Sequence, residues 1–407
     1  MLDHGDRFFA PSGAIDPGGP STWHVIDWDQ RRLVSVVMDE ELDSEDPAFE
    51  HLLKYIDHLP PDVYSIHVTS DGELISASAD PKDDETQCAF RPPVESLQIP
   101  DGIEIISRQD LEELDRLGPH VDMVVRPRSA EPTKRRYDMV WHEMSLWMRL
   151  PKHPNIVPFG SVVVDEIEGR LVGFTSVFIP GDTLDENKTR CFKLKWLHQL
   201  MAVVDELNLK YGVAHQDVAP RNLVIDEASD SLMIFDFNFS ARIGRAGYCE
   251  ARNDVKGVIF TMYEIITRND RHRRVHHKEQ DVSVIEAEEW VKHPDVLLDH
   301  PVSEFRAVLA AWSEKRRAGT QITKNTEATD PLEWPPLPDP PLTEMKYQNS
   351  GHEYTRMIKI CWWRRNELLE KGQAVLNWQR SPSKEFQDWP LGRKIPQDKI
   401  KRPSTEK

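Results

Sequence analysis

Apolar residues recur along this chain with two different periods, and the change from one to the other divides it into regions. Runs of strand type dominate the first hundred residues. Trp23 to Trp28 and Val63 to Val68 are strand-like, and the second run is followed by Ser70-Asp71-Gly72 and Glu73 to Ser76. That is the pattern of a hairpin turning at Asp-Gly. Between the two runs Phe49, Leu52, Leu53 and Ile56 fall at helical spacing within Pro47 to Leu59. Residues 1–104 are therefore expected to form a small α+β appendage.

From Ile105 the pattern lengthens. Asp110 to Leu117 has helical spacing and Val121 to Val125 is strand-like. Arg136 to Leu150 predicts a helix with Met139, Val140, Leu146, Trp147 and Leu150 on one stripe and Glu143 on the same face. Strands are expected at Ser161 to Val164 and Leu171 to Val177. The helix Leu194 to Tyr211 carries Leu197, Leu200, Val203, Val204 and Leu207, with Gly212 as its C-cap. Another, Asp254 to Thr267, buries Val258, Ile259, Met262, Ile265 and Ile266 behind an N-cap at Asp254. This body spans residues 105–275. Helices follow in 276–330, then a Pro-rich linker, 331–345, whose run Pro331 to Pro341 suits a polyproline-type spacer or a docking motif for a Pro-binding partner. Met357 to Trp378 predicts one more amphipathic helix within 346–407, before a charged, disordered end.

Composition narrows the function. The chain has 407 residues and 39% hydrophobic content, enough for a sizeable core. Its 51 basic and 69 acidic residues leave a formal charge of -18, which disfavours nucleic acid and anionic membranes as partners. Cys88, Cys191, Cys249 and Cys361 lie far apart without metal-type spacing, as expected of reduced thiols. With no apolar signal core and no apolar run of membrane-spanning length, the expected location is cytoplasmic or nuclear.

The chemistry concentrates between His215 and Phe239. His215-Gln216-Asp217 is followed by Asn222 five residues after the Asp, and two short apolar runs, Leu223 to Ile225 and Leu232 to Phe235, lead into Asp236-Phe237-Asn238. This stretch resembles the protein kinase superfamily, whose catalytic loop and metal-binding triplet have these residues at these spacings. The resemblance covers about 170 residues, is strong in the C-terminal lobe and weak in the N-terminal one, and extends to uncharacterised fungal proteins described as protein kinase-like. It implies a two-lobed α+β fold with a degenerate N-lobe. It also implies ATP and Mg²⁺ as cofactors and a protein or small molecule as phosphate acceptor.

Residue by residue, the resemblance makes Asp217 the base that takes the acceptor's proton, with Arg221 beside it, and gives Asn222 and Asp236 to the metal. Glu143 becomes the helix carboxylate that orders the N-lobe, with Arg126 at about the separation of the usual strand cation. Backbone near Val177 and Ile179 would meet the adenine. His215 braces the loop, and Asp254 accepts its amide hydrogens.

Departures from the family pattern are equally specific. No Gly-x-Gly-x-x-Gly precedes Val121, and the cations Arg126, Lys134, Arg135 and Arg136 lie in a stretch expected to be a solvated loop, as if a strand had been lost. Gln216 replaces an Arg that receives a regulatory phosphate in many relatives. Asn238 stands where Gly would turn freely, and the segment from Asp236 to Asp254 is short. Three readings stay open: an ATP- and Mg-dependent phosphotransferase, a pseudokinase acting as a nucleotide-binding scaffold, and a small-molecule kinase.

Overall fold

Two six-stranded sheets and a helical body, a mixed α and β architecture, make up the computed structural model, which describes residues 2, 4–126, 133–137, 141–319, 321–349, 352–383 and 399–402. The first sheet runs β1 (Phe8–Ile15), β2 (Ser21–Asp27), β3 (Arg32–Met38), β4 (Ser65–Val68), β5 (Leu74–Ser78) and then Ile400–Lys401. β3 is buried on both faces, with Val34 and Val36 fully covered, so it occupies the middle. Helix α1 (Asp46–Leu53) lays Ala48 and Leu52 on Val25, Ile66 and Val68. β4 and β5 pair antiparallel around the turn at Gly72, whose φ of +76° is one that glycine adopts without strain.

The second sheet contains β6 (Glu104–Ser107), β7 (Glu112–Gly118), β8 (Val121–Val125), β9 (Thr133–Tyr137), β10 (Phe159–Val164) and β11 (Leu171–Val177), ordered β6-β10-β11-β9-β8-β7. Two expectations fail here. Asp110 to Leu117 is not a helix, because β7 pairs antiparallel with β8 from Glu112↔Val125 to Gly118↔Val121 and leaves Leu114 and Leu117 exposed. Nor is the basic stretch all loop: Thr133–Tyr137 is a strand, hydrogen-bonded to β8 on one side and β11 on the other. Pairing on both edges outweighs the low strand propensity of Lys134, Arg135 and Arg136. Residues 127–132 and 138–140, and the side chains of 127–140, lie outside the described part. Helix α2 (Trp141–Trp147) accordingly begins later than the apolar stripe suggests.

The body is built on α3 (Leu194–Asp205), which continues into a π-helical turn at Glu206–Lys210, on α4 (Asp254–Thr267) and on α5 (Val302–Ala318). Leu197, Leu200, Val258, Met262, Phe305 and Leu309 belong to one core that also takes in Met144, Leu146 and Trp147 of α2 and Phe174 of β11. Each such side chain stabilises by about 1.5–3 kcal/mol, which fixes α2 between the sheet and the body. Gly212 has φ +66°, and a Cβ there would meet the Asn325 carbonyl oxygen at 2.6 Å.

The last third departs most from expectation. Met357 to Trp378 is not one helix: His352–Lys359 pairs with Leu342–Asn349, Trp362–Arg364 pairs with Gln87–Ala89, and only Arg365–Glu370 is helical. Residues 384–398 of the charged end lie outside the described part, and Ile400–Lys401 joins the first sheet. The Pro-rich run packs on its own protein. Leu332 N donates to Tyr211 O at 2.9 Å, Trp334 is buried, and Trp141 Nε1 donates to Pro335 O at 2.9 Å.

Contacts far apart in sequence hold the β7–β8 hairpin. Its turn residue His120 meets Trp28 edge-on at 4.3 Å, and Arg116 Nη1 donates to Asp29 at 2.7 Å. Asp122, fully buried, accepts from Arg31 at 2.8 Å and Arg380 at 3.0 Å. Among the described residues no helix is long and apolar enough to cross a membrane.

Candidate active site

A tight hairpin creates the site. β12 (Leu223–Asp226) and β13 (Ser231–Ile234) pair from Leu223↔Ile234 to Asp226↔Ser231, so the residue before one strand and those after the other emerge at the same end. Asn222 and Asp236 are those residues. Phe235 N donates to Asn222 O at 3.1 Å, extending the ladder to the site itself.

Asp217 lies on the loop that enters this hairpin. Its Oδ2 accepts from Asn222 Nδ2 at 2.7 Å, and the same nitrogen donates to the Asp217 carbonyl at 2.9 Å. Asp217 Oδ1 accepts from Arg221 Nη2 at 2.5 Å. Two donors therefore aim the carboxylate, while the Arg221 side chain stays half exposed. With its amide nitrogen committed to Asp217, Asn222 keeps its carbonyl Oδ1 for another partner.

The loop is braced from beneath by Asp254. Its Oδ2 accepts from His215 N at 2.8 Å and from Asn208 Nδ2 at 2.7 Å, and its Oδ1 accepts from Gln216 N at 2.7 Å. Asp254 is thus the first residue of α4 rather than its cap. Asn253 caps the helix, accepting from Lys256 N at 2.9 Å. Gly257 lets α4 approach, since a Cβ there would stand 2.8 Å from Val218 Cβ. His215 is fully buried, 3.1 Å from the Phe235 carbonyl through Nε2 and packed on the Phe237 ring.

Backbone strain in this region sits at Gln216, with φ +63°, and at Asp236, with φ +67°. Asn238, expected to bear it, does not. An Asp tolerates the left-handed region better than most residues, and such outliers cluster where a group must be aimed. Gln216 spends its whole amide on the following segment: Nε2 donates to Phe239 O at 2.6 Å and Gly247 O at 3.0 Å, and Oε1 accepts from Cys249 N at 2.5 Å. Three neutral hydrogen bonds hold the short segment where an Arg would need a phosphate.

Glu143 is buried on α2 and accepts from Phe237 N at 3.1 Å, so the helix carboxylate reaches the triplet. Arg126 does not join it. Both its Nη atoms donate to Glu104 at 2.9 Å on an exposed part of the sheet. Val177 N donates to Pro158 O at 3.0 Å, and Ile179 packs against the core.

Asn222 and Asp236 offer an amide oxygen and a carboxylate, both hard donors. Two protein ligands of this kind suit Mg²⁺, which takes the rest of its octahedron from phosphate and water. Among the described residues there is no cluster of three or more His, Cys, Asp or Glu placed to hold a metal ion. All four cysteines are free. The sequence did not single out Asn208 or Gln216 as clamps. Asn208 was visible as a polar residue within an apolar helical stripe, whereas the Gln216 contacts depend on the path of residues 239–249.

Part of the chain is similar to plant protein kinases. It is 33% identical over 125 residues to CBL-interacting serine/threonine-protein kinase 5 of Arabidopsis thaliana, covering 28% of this chain and 24% of that protein. It is 34% identical over 100 residues to CBL-interacting serine/threonine-protein kinase 16 of the same plant, covering 23% and 20%. With CBL-interacting protein kinase 2 of Oryza sativa subsp. japonica it shares 34% over 110 residues, covering 26% and 23%. The chain thus spans less than a quarter of the length of these relatives. No family model matches it.

Proposed function

We propose that this protein is an ATP- and Mg-dependent phosphotransferase with a two-lobed, protein kinase-like fold, the second sheet with α2 forming one lobe and the helical body the other. The observation that carries the reading is the bonding of Asp217 to Asn222 and Arg221, next to the strand end that presents Asp236. In this reading Asp217 accepts the proton of the acceptor hydroxyl. Asn222 and Asp236 hold Mg²⁺, which supplies charge neutralisation on the triphosphate, and Arg221 steadies the carboxylate or the acceptor.

Glu143 ties α2 to the triplet. Arg126 is bonded to Glu104, and in this reading the family's strand cation comes from β9, whose Lys134 pairs with Ser176 of β11. Adenine would meet the backbone between Val177 and Ile179. A scaffold reading has one specific observation in its favour: the β7–β8 hairpin has Pro119 and His120 at its turn in place of a glycine lid, and His120 is docked on Trp28.

One experiment separates the two. Mg-ATP binding by calorimetry and turnover are measured for the wild type, Asp236→Ala and Asp217→Ala. Catalysis requires that Asp236→Ala abolishes Mg-dependent binding and that Asp217→Ala binds normally but turns over at least ~100-fold more slowly. Binding without turnover in the wild type leaves the scaffold, and no nucleotide affinity sinks both readings.

A further inference from the structure

An open cavity of about 390 Å³ lies against Asp217 on the side away from β12 and β13, lined by the catalytic loop, the start of α4 and residues 273–280. Its sign is opposite to that of the chain. The protein carries a net charge of -18, yet Arg221, Arg252, Lys256 and Arg273 all line this cavity, and Asp217 is the one carboxylate among its described lining residues.

Partners decide how much of that charge is left. Arg221 is bonded to Asp217, and Arg273 Nε donates to Glu264 at 2.6 Å, so these two are compensated. Arg252 and Lys256 are not. The Arg252 guanidinium rests over the Phe239 ring, 4.7 Å from its centroid, and Lys256 Nζ donates to two neutral carbonyls, those of Ala251 and His277. Among the described residues neither has a carboxylate partner. Burial first, and then the neighbouring Arg273 and Arg252, push the Lys256 ammonium below its usual range. The placement also opposes helix stability. Lys256 is in the first turn of α4, where the macrodipole favours anions. A cation kept there against its local preference suggests a ligand that wants it.

We propose that this cavity binds the acceptor, and that the acceptor is an acidic polypeptide segment whose Asp or Glu side chains flank the hydroxyl presented to Asp217. The proposal deepens the phosphotransferase reading and rests on it for the word acceptor. Arg252 makes the outer contact, being partly exposed, and Lys256 sets the potential at the floor. Complementary charge would act mainly on selectivity and encounter rate.

The test uses the full chain and two fluorescein-labelled peptides, a serine flanked by glutamates and the same serine flanked by lysines, with binding read by anisotropy. The glutamate peptide should bind more tightly, with a preference that shrinks as salt rises. Arg252→Glu should lower its affinity roughly tenfold or more through like-charge repulsion, while Arg271→Glu, outside the cavity, should leave it unchanged. Equal binding of the two peptides, or a preference indifferent to Arg252→Glu, overturns the proposal. Transfer from Mg-ATP is followed separately. Retained glutamate-peptide binding without transfer removes the phosphotransferase reading but keeps the cationic, anion-binding cavity, and faster transfer to the lysine peptide removes the proposal but keeps the reading.

Discussion

Glu143 Oε1 accepts a hydrogen bond from the backbone N–H of Phe237 at 3.1 Å, which ties a buried carboxylate on α2 to the residue that follows Asp236. The position of α2 and the aim of Asp236 are coupled through this bond and through Trp147 of α2, whose ring lies 5.2 Å from that of Phe237. Glu143→Gln keeps an acceptor for the Phe237 amide and should fold normally. Glu143→Ala leaves a buried N–H unsatisfied and should cost about 1–3 kcal/mol in denaturant unfolding. Both should weaken Mg-ATP binding. Unchanged nucleotide affinity in Glu143→Gln would mean that the carboxylate only packs.

The clamp by Gln216 replaces a charge-dependent one with three neutral hydrogen bonds. Gln216→Ala should free residues 239–249, seen as faster amide exchange there, and lower turnover several-fold without changing the fold of the first sheet. Phosphatase treatment of the wild type should leave activity as it was.

Asp122 bears two guanidiniums, Arg31 and Arg380, with its own side chain fully buried. Removing the acid takes a buried partner from both guanidiniums, although Arg380 keeps Glu113 at 2.5 Å, so Asp122→Ala should lower stability by about 3 kcal/mol. Arg380→Ala should cost less, because Arg31 still neutralises Asp122. Equal losses in the two variants would show that the network is not organised around the acid.

Trp334 strings the Pro-rich segment to α2: its ring packs edge-on against His142 at 5.4 Å, under the Arg242 guanidinium at 4.7 Å. Trp334→Ala should cost about 3–5 kcal/mol and expose Pro331 to Pro341 to limited proteolysis. If this segment were a free spacer, the substitution would be silent in both measurements.

A pH dependence follows from α3. No side chain of Lys193 caps this helix, and Asp299 Oδ1 accepts from Leu194 N at 2.8 Å instead, with His300 Nδ1 2.9 Å from the same oxygen. The hydrogen bond to Asp299 raises His300 above the usual imidazole range. Its contribution is then complete below the unfolded imidazole value of about 6.5 and fades as pH climbs through the raised folded value. Unfolding midpoints of the wild type and His300→Gln should therefore differ in mildly acidic buffer and converge in alkaline buffer. A difference that grows with pH would contradict the sign.

What the amino-acid order determined by itself is the hairpin that carries the candidate site. Leu223 to Ile234 closes a short loop between two apolar runs, and the register of that hairpin brings Asn222 to the hairpin end that carries Asp236. The helices α3 and α4 were equally legible, because their apolar stripes are long enough to exclude a strand. Tertiary structure decided the rest. Asp110 to Leu117 has helical spacing, and only pairing with β8 makes Glu112–Gly118 a strand. Thr133–Tyr137 is a poor strand sequence held by a neighbour on each edge, and residues 352–364 find their partners in a hairpin and at Gln87–Ala89. The charge reversal beside Asp217 is of the same kind, since Arg221, Lys256 and Arg273 come together only when the loop, the helix and the segment after it fold onto one another. Short-range periodicity encodes which face of an element is apolar. It does not encode which distant element covers that face, and in this protein that choice sets the surroundings of the site.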